Sequence, residues 1–262
     1  MTTPLLVTVD LESEWEQGTT RAVDQHLGPL LDAFAARGVR ATFFVTAELI
    51  EKRPGLVAAI PEPHELASHG ATHRPLHRLP PAEVRDELRR GREAVLALGR
   101  DCRGFRAPYF SMTPPVLAEV AAAGYSYDSS WASFALHIGY ANLLRSKRPV
   151  RLEPPGLVEL PVPDVTPARI PFGLSYLRLF HPLSRAFLAA RPYLVYLHCD
   201  EFLADGPAAT FGRAVRPFFN RNRGPRAWEL LLRLLDHAVE RGRPFPTCAE
   251  FVASADLPVA KG

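Results

Sequence analysis

Short apolar runs in this chain repeatedly end on a single polar residue, with a helical pattern between one run and the next. Leu5–Val9 ends at Asp10, Glu65–Ser68 at His69, Tyr125–Tyr127 at Asp128 and Tyr193–Leu197 at His198, while Arg106 sits inside the short run Phe105–Ala107. Runs of this length suit buried strands, and the intervening segments carry helix signals. Val23–Ala36 places Leu27, Leu30, Leu31 and Phe34 on one side and closes at Gly38. Pro81–Leu98 opens on a proline, closes at Gly99 and carries a stripe of Val84, Leu88, Val95 and Leu98. Ala41–Val45 predicts another strand, Thr113–Ala123 and Arg226–Glu240 two more helices, Leu157–Pro161 a strand, and Leu183–Ala190 a helix. Strand and helix in alternation specify an α/β fold with a mainly parallel sheet. In such folds, chemistry gathers at the C-terminal edge of the strands. Asp10, His69, Arg106, Asp128 and His198 are all predicted there.

The 262 residues suit one domain, taken here as 1–262, and 47% apolar content suffices for a full core. The net charge of +3 is spread along the chain. Its densest basic run, Arg85, Arg89, Arg90 and Arg92, alternates with Asp86, Glu87 and Glu93 and reads as a solvated helix face, so nucleic acid is not expected as a partner. Cys102, Cys199 and Cys248 form no C-x-x-C pair and predict neither a disulfide framework nor a thiolate metal site. The first residues show no basic n-region, and no apolar run reaches 18 residues, so the expected location is the cytoplasm.

His69 and His73 stand four apart. If the loop turns helically, both imidazoles hold one metal ion; otherwise they are surface or core histidines. Asp10 and Glu12 share a strand face by alternation, so one carboxylate could ligate and the other accept a proton from bound water. Two histidines and a carboxylate leave coordination positions open and lower the pKa of bound water towards ~7. Zinc is the default for such a set; cobalt or nickel binds the same ligands.

Five segments, in order, resemble the polysaccharide deacetylase family (carbohydrate esterase family 4, the NodB-homology domain). They are Thr8-Val9-Asp10-Leu11-Glu12, Ser68-His69-Gly70-Ala71-Thr72-His73, Arg106-Ala107-Pro108-Tyr109, Tyr127-Asp128-Ser129-Ser130-Trp131 and Tyr196-Leu197-His198. Arg103–Ser111 and Gly124–Ser130 resemble the type found at exopolysaccharide loci. The resemblance implies a single distorted (β/α) barrel, with seven strands, that removes the N-acetyl group from a polysaccharide, oligosaccharide or lipid-linked saccharide. It also implies roles. Asp10 is the base, oriented by Arg106. Glu12, His69 and His73 hold the metal. His198 is the acid, with Asp128 as its partner. The backbone near Tyr109 stabilises the oxyanion, and Trp131 and Leu197 wall the methyl pocket.

The chain departs from the family pattern in three places. Leu11 stands where many members have the ligating aspartate, leaving Glu12 as the candidate. Gly70 replaces a frequent serine or threonine. Cys199-Asp200-Glu201 follows His198, and Asp200 or Glu201 either orients a histidine or is exposed. A lid or membrane-facing surface built from 132–144 and 172–187 would suit a lipid-linked substrate; ordinary core is the other reading. A deformylase or amidase on the same scaffold, or a non-catalytic saccharide-binding protein of the same fold, are the alternatives.

Overall fold

The computed structural model describes residues 2–14, 18–132, 145–164, 169–181, 192–205 and 220–261. The helix expected at 183–190 and most of the 132–144 segment lie outside them.

The strands are β1 (Leu6–Leu11), β2 (Thr42–Val45), β3 (Glu65–Ser68), β4 (Gly104–Phe105), β5 (Tyr127–Asp128), β6 (Val150–Leu152), β7 (Leu157–Glu159), β8 (Leu194–His198) and β9 (Val259–Ala260). The helices are α1 (Arg21–Ala35), α2 (Ala47–Lys52), α3 (Pro54–Ala58), α4 (Pro81–Ala97), α5 (Pro114–Ala122), α6 (Leu174–Leu179), α7 (Pro225–Glu240) and α8 (Cys248–Ser254). The sheet runs β8-β1-β2-β3-β4-β5-β7-β6-β9. Its first seven strands pair in parallel, as the alternation of runs and helices predicts. β6 is the antiparallel exception. Isolated bridges Ala132–Val162, Asp164–Pro171 and Gly173–Tyr196 carry the sheet from β5 and β7 round towards β8.

Strand alternation sorts the side chains into two cores. Leu5, Val7, Val9 and Leu11 pack outward with Phe43, Val45, Phe105, Val195, Leu197 and the helices. Leu6, Phe44, Tyr127, Val158, Leu194 and Tyr196 pack inward, over Cys248 of α8. α8 is anchored by a capping box at Thr247 and Glu250, and its first N–H groups donate to Thr42 Oγ1 and Glu65 Oε2. It closes the end of the sheet opposite the polar residues.

Short elements escape the sequence reading: α2, α3, α6, α8, the antiparallel strand β6 and the edge strand β9. Each is too brief to show a period, and packing decides its conformation. Trp228 on α7 is only partly buried and stacks on Phe202, 4.1 Å between ring centroids, while Ala227, Leu230, Leu231, Leu234 and Leu235 form the buried face.

Candidate active site

β1 delivers Asp10 to the inner face and Leu11 to the outer core. One residue later, alternation returns Glu12 to the inner side. There it meets the loop after β3. Glu12 Oε2 lies 3.6 Å from His69 Nε2 and against His73 Nε2. One donor atom from each of the three residues falls within 4.8 Å of the others.

Three observations fit a divalent cation. Glu12 Oε2 is buried with no hydrogen-bond donor among the described residues. His69 Nδ1 lies 2.8 Å from the Arg106 carbonyl. A carbonyl can only accept, so the His69 proton sits on Nδ1 and Nε2 offers its lone pair to the cluster. Burial opposes charge on Glu12, yet His73 and His69 outweigh it and hold the carboxyl well below its ordinary value. Glu12 is therefore ionised, the form in which a carboxylate binds a cation.

The loop that presents both histidines is fastened from behind. Glu87, buried on α4, accepts the N–H groups of Ala71 (2.8 Å) and Thr72 (2.9 Å) and the Thr72 hydroxyl (2.5 Å). Arg74 pairs with it at 2.9 Å. Gly91, one turn on, leaves room for the loop; a Cβ there would stand 2.5 Å from Ser68 Oγ and 2.9 Å from the Gly70 carbonyl. Gly70 itself has φ +82° and His73 +56°. The hydroxyl missing at Gly70 is thus replaced by Ser68 Oγ, which accepts the Gly70 N–H, and by Glu87. Glu87 looked like a solvated helix charge in the sequence; its spacing with Val84, Leu88, Gly91 and Val95 on the buried face was the available signal.

Arg106 is fully buried. Its Nη1 lies 2.7 Å from Asp10 Oδ1 and 2.9 Å from Thr8 Oγ1, and Nε and Nη2 reach the Ser129 carbonyl and hydroxyl. Its guanidinium lies 4.2 Å over the Phe44 ring. The other Asp10 oxygen, Oδ2, faces His198 Nε2 at 3.7 Å. Burial pushes the His198 pKa down, but Glu201, Asp10, Glu12 and Asp200 together raise it to about 10.

Asp128 does not pair with His198. The alternation that turns Tyr127 inward turns Asp128 to the opposite face, in register with Phe105 and Glu159. Its carboxylate accepts from Ser130 N and Oγ and neighbours Glu159. Glu201 stands beside His198 instead, its Oε1 3.6 Å from Nδ1.

A cavity of about 100 Å³ opens over the cluster, lined by Asp10, Glu12, His69, His73 and His198 together with Tyr109, Phe110, Ala132, Ser175, Tyr176 and Tyr196. The Tyr109 ring centroid lies 4.8 Å from that of His73, and its backbone has a left-handed conformation (φ +57°) shared with Phe110 (φ +54°). Such values in bulky residues mark a backbone held by its surroundings. Trp131 and Leu197 do not line the cavity. Leu197 alternates with Tyr196 and His198, so it points into the outer core, and Trp131 packs there too, with Arg145 5.1 Å over its ring. The wall is aromatic but built from Phe110, Tyr176 and Tyr196. Cys199 is buried and its thiol is pushed up by burial, which leaves no thiolate for nucleophilic attack. A wider depression of about 540 Å³ beside the start of α1 holds Arg21, Lys52 and Arg53. These cations pair with Asp205, Glu48 and Asp24.

Residues 14–127 match the sequence profile of the polysaccharide deacetylase family. Over 98 residues the chain is 39% identical to a chitooligosaccharide deacetylase of Bradyrhizobium sp. (strain ANU 289), a stretch that is 36% of this chain and 45% of that relative. The chain thus spans under half of that relative's length. A Mycobacterium smegmatis protein assigned as a polysaccharide deacetylase shares the fold, with a TM-score of 0.66, 19% identity and coverage of 95% of this chain and 88% of that one. So does the Bacillus anthracis protein BA3943, a pseudoenzyme of carbohydrate esterase family 4 (TM-score 0.58, 12% identity, 100% and 70% coverage). The matches support the polysaccharide deacetylase family and its α/β fold. The profile takes in His69, His73 and Arg106 but neither the β1 carboxylates nor His198, whose placement rests on the geometry above.

Proposed function

We propose that this protein is a metal-dependent hydrolase that removes the N-acetyl group from an N-acetylated saccharide. The observation that carries the reading is the convergence of Glu12, His69 and His73, with Asp10 on one flank and His198 behind it, at the floor of a small aromatic cavity. Similarity to a chitooligosaccharide deacetylase supports the saccharide substrate, and the side chains support the chemistry.

Glu12, His69 and His73 would hold zinc, with cobalt or nickel as substitutes. The bound ion would acidify a water and polarise the acyl carbonyl. Asp10, held in place by Arg106, accepts the proton of the attacking water. The cavity is sized for a short acyl group and keeps the saccharide at its mouth. Phe110, Tyr176 and Tyr196 exclude bulk water from the acyl carbon and strengthen the local electrostatics. His198 carries a proton on Nε2 towards the cavity and gives it to the departing nitrogen. Without that proton, an amine is a poor leaving group, so the acid is needed for an amide.

The test is acetate release from N-acetylhexosamine glycans and lipid-linked N-acetyl sugars, before and after removal and restoration of metal, with N-formyl sugars as competitors. Acetate release that depends on metal supports the reading. Preference for formyl substrates would make the protein a deformylase. Zinc binding with neither acid released from any substrate would leave a saccharide-binding protein in its place. Among the described residues no helix is long and apolar enough to cross a membrane.

A further inference from the structure

We propose that Glu201, clamped by Arg178, is the positioning residue of His198, in the place expected of Asp128. The proposal rests on the hydrolase reading above. Glu201 is buried in the turn that follows β8. Its Oε2 pairs with Arg178 Nε at 2.7 Å, and both side chains are almost fully enclosed. Its Oε1 accepts the His198 backbone N–H at 3.2 Å and lies 3.6 Å from Nδ1. The Glu201 backbone N–H donates back to the His198 side chain, completing a capping box.

Glu201 therefore offers Nδ1 both a donor and an acceptor. When the imidazole is neutral, Nδ1 accepts the peptide N–H, and the ring proton is left on Nε2. When the imidazole is charged, the carboxylate lies within ion-pair distance of Nδ1–H, and Nε2 keeps its proton. In both states the proton that faces Asp10 and the cavity is present. A peptide N–H alone would disfavour the charged ring; the carboxylate reverses that, aided by Asp10, Glu12 and Asp200. Tyr196 stands edge-on to the ring at 5.8 Å, and Arg223 holds Asp200 at 3.1 Å. Glu201 itself is ionised, its pKa brought down to about 2 despite burial, chiefly by Arg178 and His198.

Arg178 gives the arrangement its second function. It belongs to α6, whose Ser175 and Tyr176 line the cavity. One helix therefore fixes both the acyl wall and the anchor of the acid. Arg178 also donates to the Arg221 carbonyl at 2.8 Å, and its own carbonyl accepts from Asn222, tying α6 to the chain that enters α7.

The variants are Glu201→Gln and the double change Arg178→Met with Glu201→Gln, which avoids stranding a buried cation. Two measurements read them on the protein as purified. The first compares turnover of an N-acetylglucosamine oligomer with that of an aryl acetate, whose leaving group needs no proton. The expected result is a fall in amide kcat of about 100-fold or more with KM unchanged, while ester turnover holds within a few-fold. A structural role alone would lower both in parallel. The second follows the His198 imidazole by NMR, assigned with His198→Gln. The wild-type midpoint is expected above 6.5, the ordinary value, and about one unit or more lower in the variants. A wild-type midpoint at or below 6.5 overturns the proposal, as do folded variants with an unchanged midpoint and amide-to-ester ratio. If wild-type protein releases no acetate, the hydrolase reading fails, and the imidazole titration still decides the role of Glu201.

Discussion

Arg106 Nη1 stands 2.7 Å from Asp10 Oδ1, and both side chains are almost wholly shut off from solvent. A buried pair of this kind fixes the charge of both members, and removing one leaves the other stranded at a cost of about 3–5 kcal/mol. Asp10→Asn keeps a carbonyl oxygen for Arg106 and removes the proton acceptor. Deacetylation is expected to fall by about 10²–10⁴-fold with zinc content unchanged. Arg106→Gln is expected to lower unfolding free energy by about 3 kcal/mol or more in denaturant titration, because Asp10 loses its counterion. Equal activity in wild type and Asp10→Asn would remove Asp10 from the mechanism.

Leu11 and Glu12 make opposite predictions although they are neighbours. Leu11 is fully buried in the outer core. Leu11→Asp therefore adds no metal ligand; it is expected to cost more than about 3 kcal/mol of stability by burying an unpaired carboxylate. Glu12→Ala removes the acidic arm of the cluster, and calorimetric zinc titration is expected to show at least about 100-fold weaker binding in a folded protein. Tighter zinc binding by Leu11→Asp would mean that β1 presents its other face to the metal.

Glu87 makes its contribution to the site through the loop alone. Its two oxygens take the Ala71 and Thr72 N–H groups, the Thr72 hydroxyl and Arg74, and an amide nitrogen cannot accept any of these. Glu87→Gln is expected to weaken zinc binding by about 10–100-fold, the usual range for groups that orient ligands. Gly91→Ala should do the same by pushing α4 off Gly70. Unchanged zinc affinity in both variants would show that the loop holds its shape without α4.

The sheet and the shared face of Asp10 and Glu12 were legible because both follow from strand alternation, whereas the grouping of His69 and His73 with Glu12 came from the motif resemblance. Asp10 and Glu12 share a face, and the polar residue after each apolar run stands at one edge. The same alternation, applied to Tyr127 and Leu197, would have turned Asp128 and Leu197 away from the cavity; motif resemblance hid that. Glu201 and Arg178 were out of reach. Their contact joins a short helix to a turn 23 residues later, and no local period records such a pairing. Phe110, Tyr176 and Tyr196 converge from three segments, and only the closed sheet brings them together.

Asp128 and Glu159 supply a stability test that is separate from catalysis. Both are fully buried and adjacent, and Glu159 Oε2 has no other hydrogen-bond partner among the described residues. Burial first, and then their mutual repulsion, raises Glu159 well above its ordinary value; burial also raises Asp128. Both carboxyls are therefore protonated more readily in the folded state than in the unfolded chain. Raised folded pKa values mean that the native state binds more protons than the unfolded chain. The resulting stability is fully present below the unfolded carboxyl range and declines as pH rises through the raised values. Glu159→Gln keeps the Oε1 acceptor for Trp131 N–H, 2.9 Å away, and supplies a permanent donor to Asp128. Unfolding free energy at pH 8 is expected to rise by about 1 kcal/mol or more, since one unit of pKa shift is worth ~1.4 kcal/mol, and the decline of stability between pH 5 and 9 should flatten. Denaturant titrations across that range check both. A variant less stable than wild type at pH 8, with the same pH slope, would mean that folding does not make the two carboxyls easier to protonate.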